Sequence, residues 1–217
     1  MLTRLPPVAK GLLIANAVAF LLQVLLGRGV FAPFMLWPLG SDPFALMAGA
    51  QPFAPWQLLT YGFLHGDLAH LLFNMLALVM FGSQLEYTWG PRRFLAYYLV
   101  CVVGAGLCQL AVVSWGMAGG GLPYGTLGAS GGVFGLLLAY GMLFPHQRVM
   151  LLIPPIPMKA RTLVIVFGVI SLLMGITGTQ SGVAHFAHLG GMLFGWLLIR
   201  YWRGQPPFGR GPRARRF

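Results

Sequence analysis

Acidic side chains are almost absent from this 217-residue chain: Asp42, Asp67 and Glu86 are all it has. That scarcity argues against a carboxylate pair inside a membrane, and against a membrane aspartyl protease or a proton-relaying transporter. A His-Glu-x-x-His run, which would carry a zinc site on one helix face, is missing as well. Cysteine is nearly as scarce. Cys101 and Cys108 lie seven residues apart in one apolar stretch, roughly 10 Å along a helix axis, so they cannot bond to each other. They read as small packing residues. No metal and no cofactor is expected.

Charge of either sign is sparse, at 8% of residues, whereas 58% are hydrophobic and the mean hydropathy is +0.78. A globular domain carries about 25% charged residues. Several apolar runs approach or exceed the ~20 residues that span a bilayer. Hydropathy and breakers together predict spans near 8–27, 67–89, 92–115, 128–145, 161–178 and 184–203. Gly27-Arg28-Gly29, Trp89-Gly90-Pro91, the Gly119–Pro123 run, the prolines at 145, 154, 155 and 157, and Gly178 with Gly182 divide them. The first run begins just after Arg4 and Lys10 and shows no clear small-residue cleavage site, so it reads as a retained helix. The expected fold class is all-α, a polytopic six-helix membrane bundle over 1–203. Residues 204–217 form a basic tail expected to be disordered.

The net charge of +11 suggests nucleic acid until the charges are placed. Arg4, Lys10, Arg92, Arg93, Arg148, Lys159, Arg161, Arg200, Arg203, Arg210, Arg213, Arg215 and Arg216 all fall on one side if the spans alternate; only Arg28 falls on the other. The bias predicts cytoplasmic termini and an even number of spans. The tail arginines suit anionic lipid headgroups, and nucleic acid is not expected as a partner. The opposite side carries the long segment 30–64, where Phe31, Phe34, Trp37, Phe44, Phe53 and Trp56 alternate with five prolines. So aromatic a loop is expected to lie in the membrane interface, with Asp42-Pro43 capping a short helix through about Ala48.

Polar groups inside such spans point to function. Ser130 opens the fourth span within Gly128-Ala129-Ser130-Gly131, and His188 lies about a turn into the sixth. Alternation puts both at one face and comparable depth. Gly131 and Gly135, like Gly191 and Gly195, are four apart and form small-residue stripes that let backbones approach. If the stripes meet, the hydroxyl reaches the imidazole. Burial favours the neutral ring, which then serves as general base and later as general acid. The plainer alternative makes Ser130 a helix N-cap and His188 an interhelical hydrogen bonder. His70 and Asn74, four apart on one helix face, offer two neutral donors that with the Ser130 N–H could hold an oxyanion. His65 and His185 read as satisfied interhelical or interfacial histidines, with tuning of the site as the alternative for both, and His146 as a solvated surface residue. Glu86 is expected to pair with backbone or with Arg92 or Arg93.

On these residues the chain resembles the rhomboid family of intramembrane serine proteases. The likeness rests on Gly128-x-Ser130-Gly131, on Ala187-His188-x-x-Gly191-x-x-x-Gly195, on His70-x-x-x-Asn74, on Leu36-Trp37-Pro38-Leu39, on the stretch Trp56–Asn74 and on Phe81-Gly82 through Glu86 and Gly90. It implies a Ser130–His188 dyad without a third carboxylate, acting through an acyl-enzyme. It also implies oxyanion donors at His70 and Asn74, a water-filled cavity open to the outer side, and transmembrane protein substrates. A bacterial inner-membrane location is the expectation. A non-catalytic rhomboid-like binder of membrane clients is the alternative. Two departures stand out. Gln57 follows Trp56 where family members often have arginine, and Phe134 occupies a position, four after the serine, where many bacterial members place tyrosine.

Overall fold

A computed structural model describes residues 5–40, 46–47, 49–150, 155–178 and 183–208. All but residues 46 and 47 of the expected short helix at 42–48, most of the tail, and the breaker residues Pro154 and Gly182 lie outside the described residues. Six long helical stretches stand where the apolar runs predicted them: α1 (Pro7–Leu26), α2 (Leu68–Trp89), α3 (Pro91–Ala118), α4 (Ser130–Leu143), α5 (Ala160–Thr177) and α6 (His185–Trp202). By length and composition, α1, α2, α3 and α5 suffice to cross a membrane. At 14 residues α4 is shorter than its predicted 18 and measures only about 21 Å. In α6, two histidines and Arg200 dilute an otherwise apolar helix.

The starts of α2 and α3 follow local chemistry, whereas those of α1, α4, α5 and α6 have no local side-chain cap. Asp67 caps α2, its Oδ1 accepting the His70 N–H at 2.7 Å. Pro91 starts α3 directly after Gly90, where a missing N–H costs nothing. The start of α1 has no local side-chain cap; instead Glu86 of α2 accepts the Val8 and Ala9 N–H groups, at 2.9 and 2.7 Å. Backbone, one of the partners expected for Glu86, is thus observed on both of its oxygens. Midway along α2, Leu78–Gly82 adopt a π turn, which brings Gly82 against Phe94 and Leu136.

The centre of the bundle is α3, α4 and α6. Phe94, Tyr97, Tyr98, Cys101, Val102, Leu136 and Ile199 form the heart of the core. The periphery is α1 and α5; in α5 only Ala160, Leu163 and Ser171 are buried. Both cysteines are free. The ends of α2, α4 and α6 converge around a small cavity of about 30 Å³ lined by Trp89, Leu143, Ile199, Trp202 and Arg203. Neighbouring helices therefore alternate in direction. The link between α4 and α5, read from sequence as a proline-rich connection, is a two-stranded antiparallel sheet, β1 (Arg148–Met150) with β2 (Pro157–Lys159). Three-residue strands carry too little alternation to be recognised in sequence. At the opposite end, an isolated bridge joins Leu36 to Thr126.

Candidate active site

Gly128 carries the chain into α4 at φ +132, a conformation that side-chain-bearing residues rarely adopt. A Cβ there would also lie 2.8 Å from Cε1 and 2.9 Å from Nε2 of His70. The N-cap position falls to Ala129, which makes no side-chain cap, and Ser130 is the first helical residue. The N-cap alternative for Ser130 therefore fails. Its hydroxyl is engaged elsewhere: Ser130 Oγ lies 2.8 Å from His188 Nε2. His188 stands in the first turn of α6 and is buried. Phe134, one turn along α4 from Ser130, lies flat against the imidazole, with centroids 4.0 Å apart and planes at 8°.

The glycines explain how two helix backbones come this close. A Cβ on Gly191 would collide with the Gly131 carbonyl, and one on Gly135 would meet Cys101 and the Gly191 carbonyl. The two stripes meet at Gly131, Gly135 and Gly191. Gly195 is turned towards α3 instead, against the Tyr97 hydroxyl and Cys101. A face of α6 is shared between two neighbours, and four-residue spacing alone could not say which glycine serves which.

His70 belongs to the same cluster. The Gly66 N–H donates to its Nδ1 over a long 3.5 Å, a pattern that leaves Nε2, the atom beside Gly128, as the free ring donor. Asn74 is buried one turn further along α2, and its amide is turned back along the helix: Nδ2 donates to the His70 carbonyl at 3.0 Å. One of its two N–H donors is thereby used.

Two further histidines correct an expectation. His65 and His185 are buried between elements, but neither ring has a hydrogen-bond partner among the described residues. It is the backbone of His65 that is gripped, its N–H by Gln23 Oε1 at 3.0 Å and its carbonyl by Gln23 Nε2 at 3.4 Å. The His65 ring stands edge-on to His70 at 5.1 Å, and the His185 ring edge-on to His188 at 6.0 Å. Burial, helped by the neighbouring His70, pushes the His65 ring down to about 4. Among the described residues, no three His, Cys, Asp or Glu side chains are grouped to hold a metal ion.

Sequence reasoning missed the brace that holds this cluster in place. Gln57 is buried and uses its whole amide: Oε1 accepts the Trp37 N–H at 3.1 Å, and Nε2 donates to the Pro33 and Pro52 carbonyls at 3.2 and 3.0 Å. Trp56 Nε1 also donates to Pro33 O, Thr60 Oγ1 to Phe34 O, and Trp37 Nε1 to Ala32 O. Three consecutive carbonyls at the end of a 3-10 helical stretch, Arg28–Phe34, are thereby satisfied. Leu36 then pairs with Thr126, whose hydroxyl accepts from Gln109 Nε2 at 3.3 Å, and Gly128 N–H donates to Tyr61 O at 2.9 Å. Tyr61 itself donates to Val102 O of α3 at 2.7 Å. The one signal in the sequence was Gln57 itself, a polar residue in an aromatic loop.

A model of the Rhomboid domain matches residues 52–204 of this chain. The mitochondrial Rhomboid protein 1 of Saccharomyces cerevisiae is 29% identical over 196 residues, covering 83% of this chain and 54% of that protein. RHOMBOID-like protein 4 of Arabidopsis thaliana is 33% identical over 143 residues, 66% of this chain and 33% of its own. The Rhomboid protease GluP of Bacillus subtilis is 33% identical over 141 residues, 65% of this chain and 25% of its own. The chain thus spans between a quarter and about half the length of these relatives.

Proposed function

The chain belongs to the rhomboid family and is a polytopic helical membrane protein, and on that basis we propose that it is an intramembrane serine endopeptidase. The observation that carries the reading is the 2.8 Å contact between Ser130 Oγ and His188 Nε2, with Phe134 stacked beneath the ring. Ser130 Oγ attacks a peptide carbonyl of a transmembrane substrate as His188 Nε2 takes the hydroxyl proton. The oxyanion is held by the Ser130 N–H, His70 Nε2 and the remaining Asn74 N–H. Collapse expels the amine, which leaves with the proton from His188, and the acyl group stays on Ser130. Water, deprotonated by His188, then releases the acid and restores the serine.

No carboxylate is needed for this dyad. For Nε2 to accept from the hydroxyl, the ring proton must sit on Nδ1, and Phe134 supplies the orientation that an aspartate gives in a triad. Helix α4 supports chemistry below the membrane surface. Its ~21 Å falls short of a ~30 Å hydrocarbon core, so with its other end at the basic interface Ser130 lies several ångströms inside. Substrate must unwind locally there, because an intact helix keeps its carbonyls in intrachain bonds.

In this reading residues 1–203 form one six-span domain with cytoplasmic termini, residues 204–217 a basic tail, and the membrane is a bacterial inner membrane. A fluorophosphonate probe on the purified full chain is expected to label Ser130. Ser130→Ala abolishes labelling, and His188→Ala abolishes both labelling and turnover of a model transmembrane substrate. His70→Ala is expected to lower kcat about 100- to 1,000-fold, the usual effect of losing one oxyanion donor. Equal labelling of wild type and Ser130→Ala, or substrate capture without turnover, points instead to a non-catalytic client binder.

A further inference from the structure

The β1–β2 hairpin sets two cations directly across from one another. Arg148 is the register partner of Lys159, and Met150 of Pro157. All four side chains therefore share one face, and all four residues are exposed, whereas Val149, on the other face, is buried in the core. Arg161, two residues beyond Lys159, is exposed as well. Like charges directly opposite in an antiparallel pair destabilise it unless an anion lies between them.

This chain has almost nothing to supply that anion. Of the three acidic side chains, Glu86 commits both oxygens to the start of α1. Asp67 caps α2 at the far end of the bundle, and Asp42 falls between α1 and α2 in the sequence, distant along the chain from the hairpin. Among the described residues no acidic side chain is left over for these cations, and a counter-charge from outside the protein fits the face. The apolar half of the face narrows its identity: Met150 is 58% exposed beside Pro157, a surface that favours a lipid boundary over water. The hairpin joins the helix ends on the basic side of the bundle, where headgroups are within reach.

We propose that the outward face of this hairpin binds the phosphate of an anionic phospholipid, with Arg148 and Lys159 gripping it from adjacent strands and Met150 and Pro157 resting on the acyl boundary. The site is separate from Ser130 and does not depend on proteolysis.

The test uses full-length Ser130→Ala protein, so that substrate chemistry plays no part. It is reconstituted in phosphatidylcholine nanodiscs containing a tenth phosphatidylglycerol, and enrichment of phosphatidylglycerol around the protein is measured. Arg148→Gln with Lys159→Gln is expected to lower the affinity about fivefold for each charge removed. The charge-keeping pair Arg148→Lys with Lys159→Arg retains it, and millimolar inorganic phosphate does not compete. The proposal is overturned if the double glutamine variant keeps its enrichment. It is also overturned if the loss follows Arg210, Arg213, Arg215 and Arg216→Gln instead, or if inorganic phosphate displaces the lipid.

Discussion

Gly191→Ala is the sharpest test of how the two reacting side chains are held together. The added methyl group would collide with the Gly131 carbonyl on the facing helix. Carbon and oxygen need more than 3 Å between them, so α4 and α6 must separate there by roughly an ångström. Gly191 lies one turn from His188, and Gly131 is adjacent to Ser130. The separation therefore falls on the 2.8 Å Ser130–His188 contact. A misplacement of about 1 Å at reacting groups lowers rate on the order of 100-fold, while overpacking lowers stability by about 1–3 kcal/mol. The assay is single-turnover fluorophosphonate labelling, alongside the thermal midpoint of the same detergent preparation. Gly11→Ala is the control, since a Cβ there meets nothing within 4 Å. Gly195→Ala is the second comparison. It strikes Tyr97 and Cys101 of α3 one turn further from His188, so it should lower the midpoint with a smaller effect on labelling. Labelling by folded Gly191→Ala within threefold of wild type would refute the claim that this glycine contact sets the dyad distance.

Three further outcomes follow from the same geometry. Phe134→Leu removes the face that lies 4.0 Å from the His188 ring and is expected to lower labelling about tenfold at a stability loss near 1 kcal/mol, whereas Phe134→Tyr keeps both; equal kinetics for the leucine variant would remove Phe134 from the site. Gln57→Leu orphans the Trp37 N–H and the Pro52 carbonyl, while Pro33 O keeps the Trp56 indole. The Trp37 N–H is the buried one, and leaving it unsatisfied at about 1–3 kcal/mol predicts a loss of about that size, read by thermal unfolding; a loss below about 0.5 kcal/mol would show the loop is held by other means. Burial lowers the His65 ring to about 4 in the folded protein, whereas the unfolded chain titrates near 6.5. Between those values the unfolded state binds the extra proton, so this contribution is fully present above about pH 6.5 and is lost as pH falls towards 4. His65→Gln should flatten the stability–pH slope over that window; an unchanged slope would place the titration elsewhere.

Much of the bundle was legible because its signals are local. Trp89-Gly90-Pro91 marks the α2–α3 break wherever those residues occur, and Asp67 caps α2 through an atom only three residues away. The cap of α1 was not legible, because it reaches across 77 residues to Glu86, and a missing local cap does not name its substitute. The histidines divide in the same way. His188 was located by its flanking glycines and depth, whereas the His65 and His185 rings stand edge-on to His70 and His188 with no hydrogen-bond partner among the described residues, which sequence spacing does not reveal.

From the sequence alone came the membrane-helix class, the positions of six apolar helices and the short list of polar groups inside them. Each rests on composition, hydropathy and breakers, which act over a few residues. Tertiary structure decided what those groups touch. It turned the Ser130 hydroxyl to His188 and away from capping, and laid Phe134 flat on the imidazole. It faced Gly191 to α4 and Gly195 to α3, and made Gln57 the centre of the loop brace. It also paired Arg148 with Lys159 across a hairpin too short to recognise in sequence. Periodicity assigns a residue to a helix face, but the neighbour that covers that face is set by packing between segments distant along the chain.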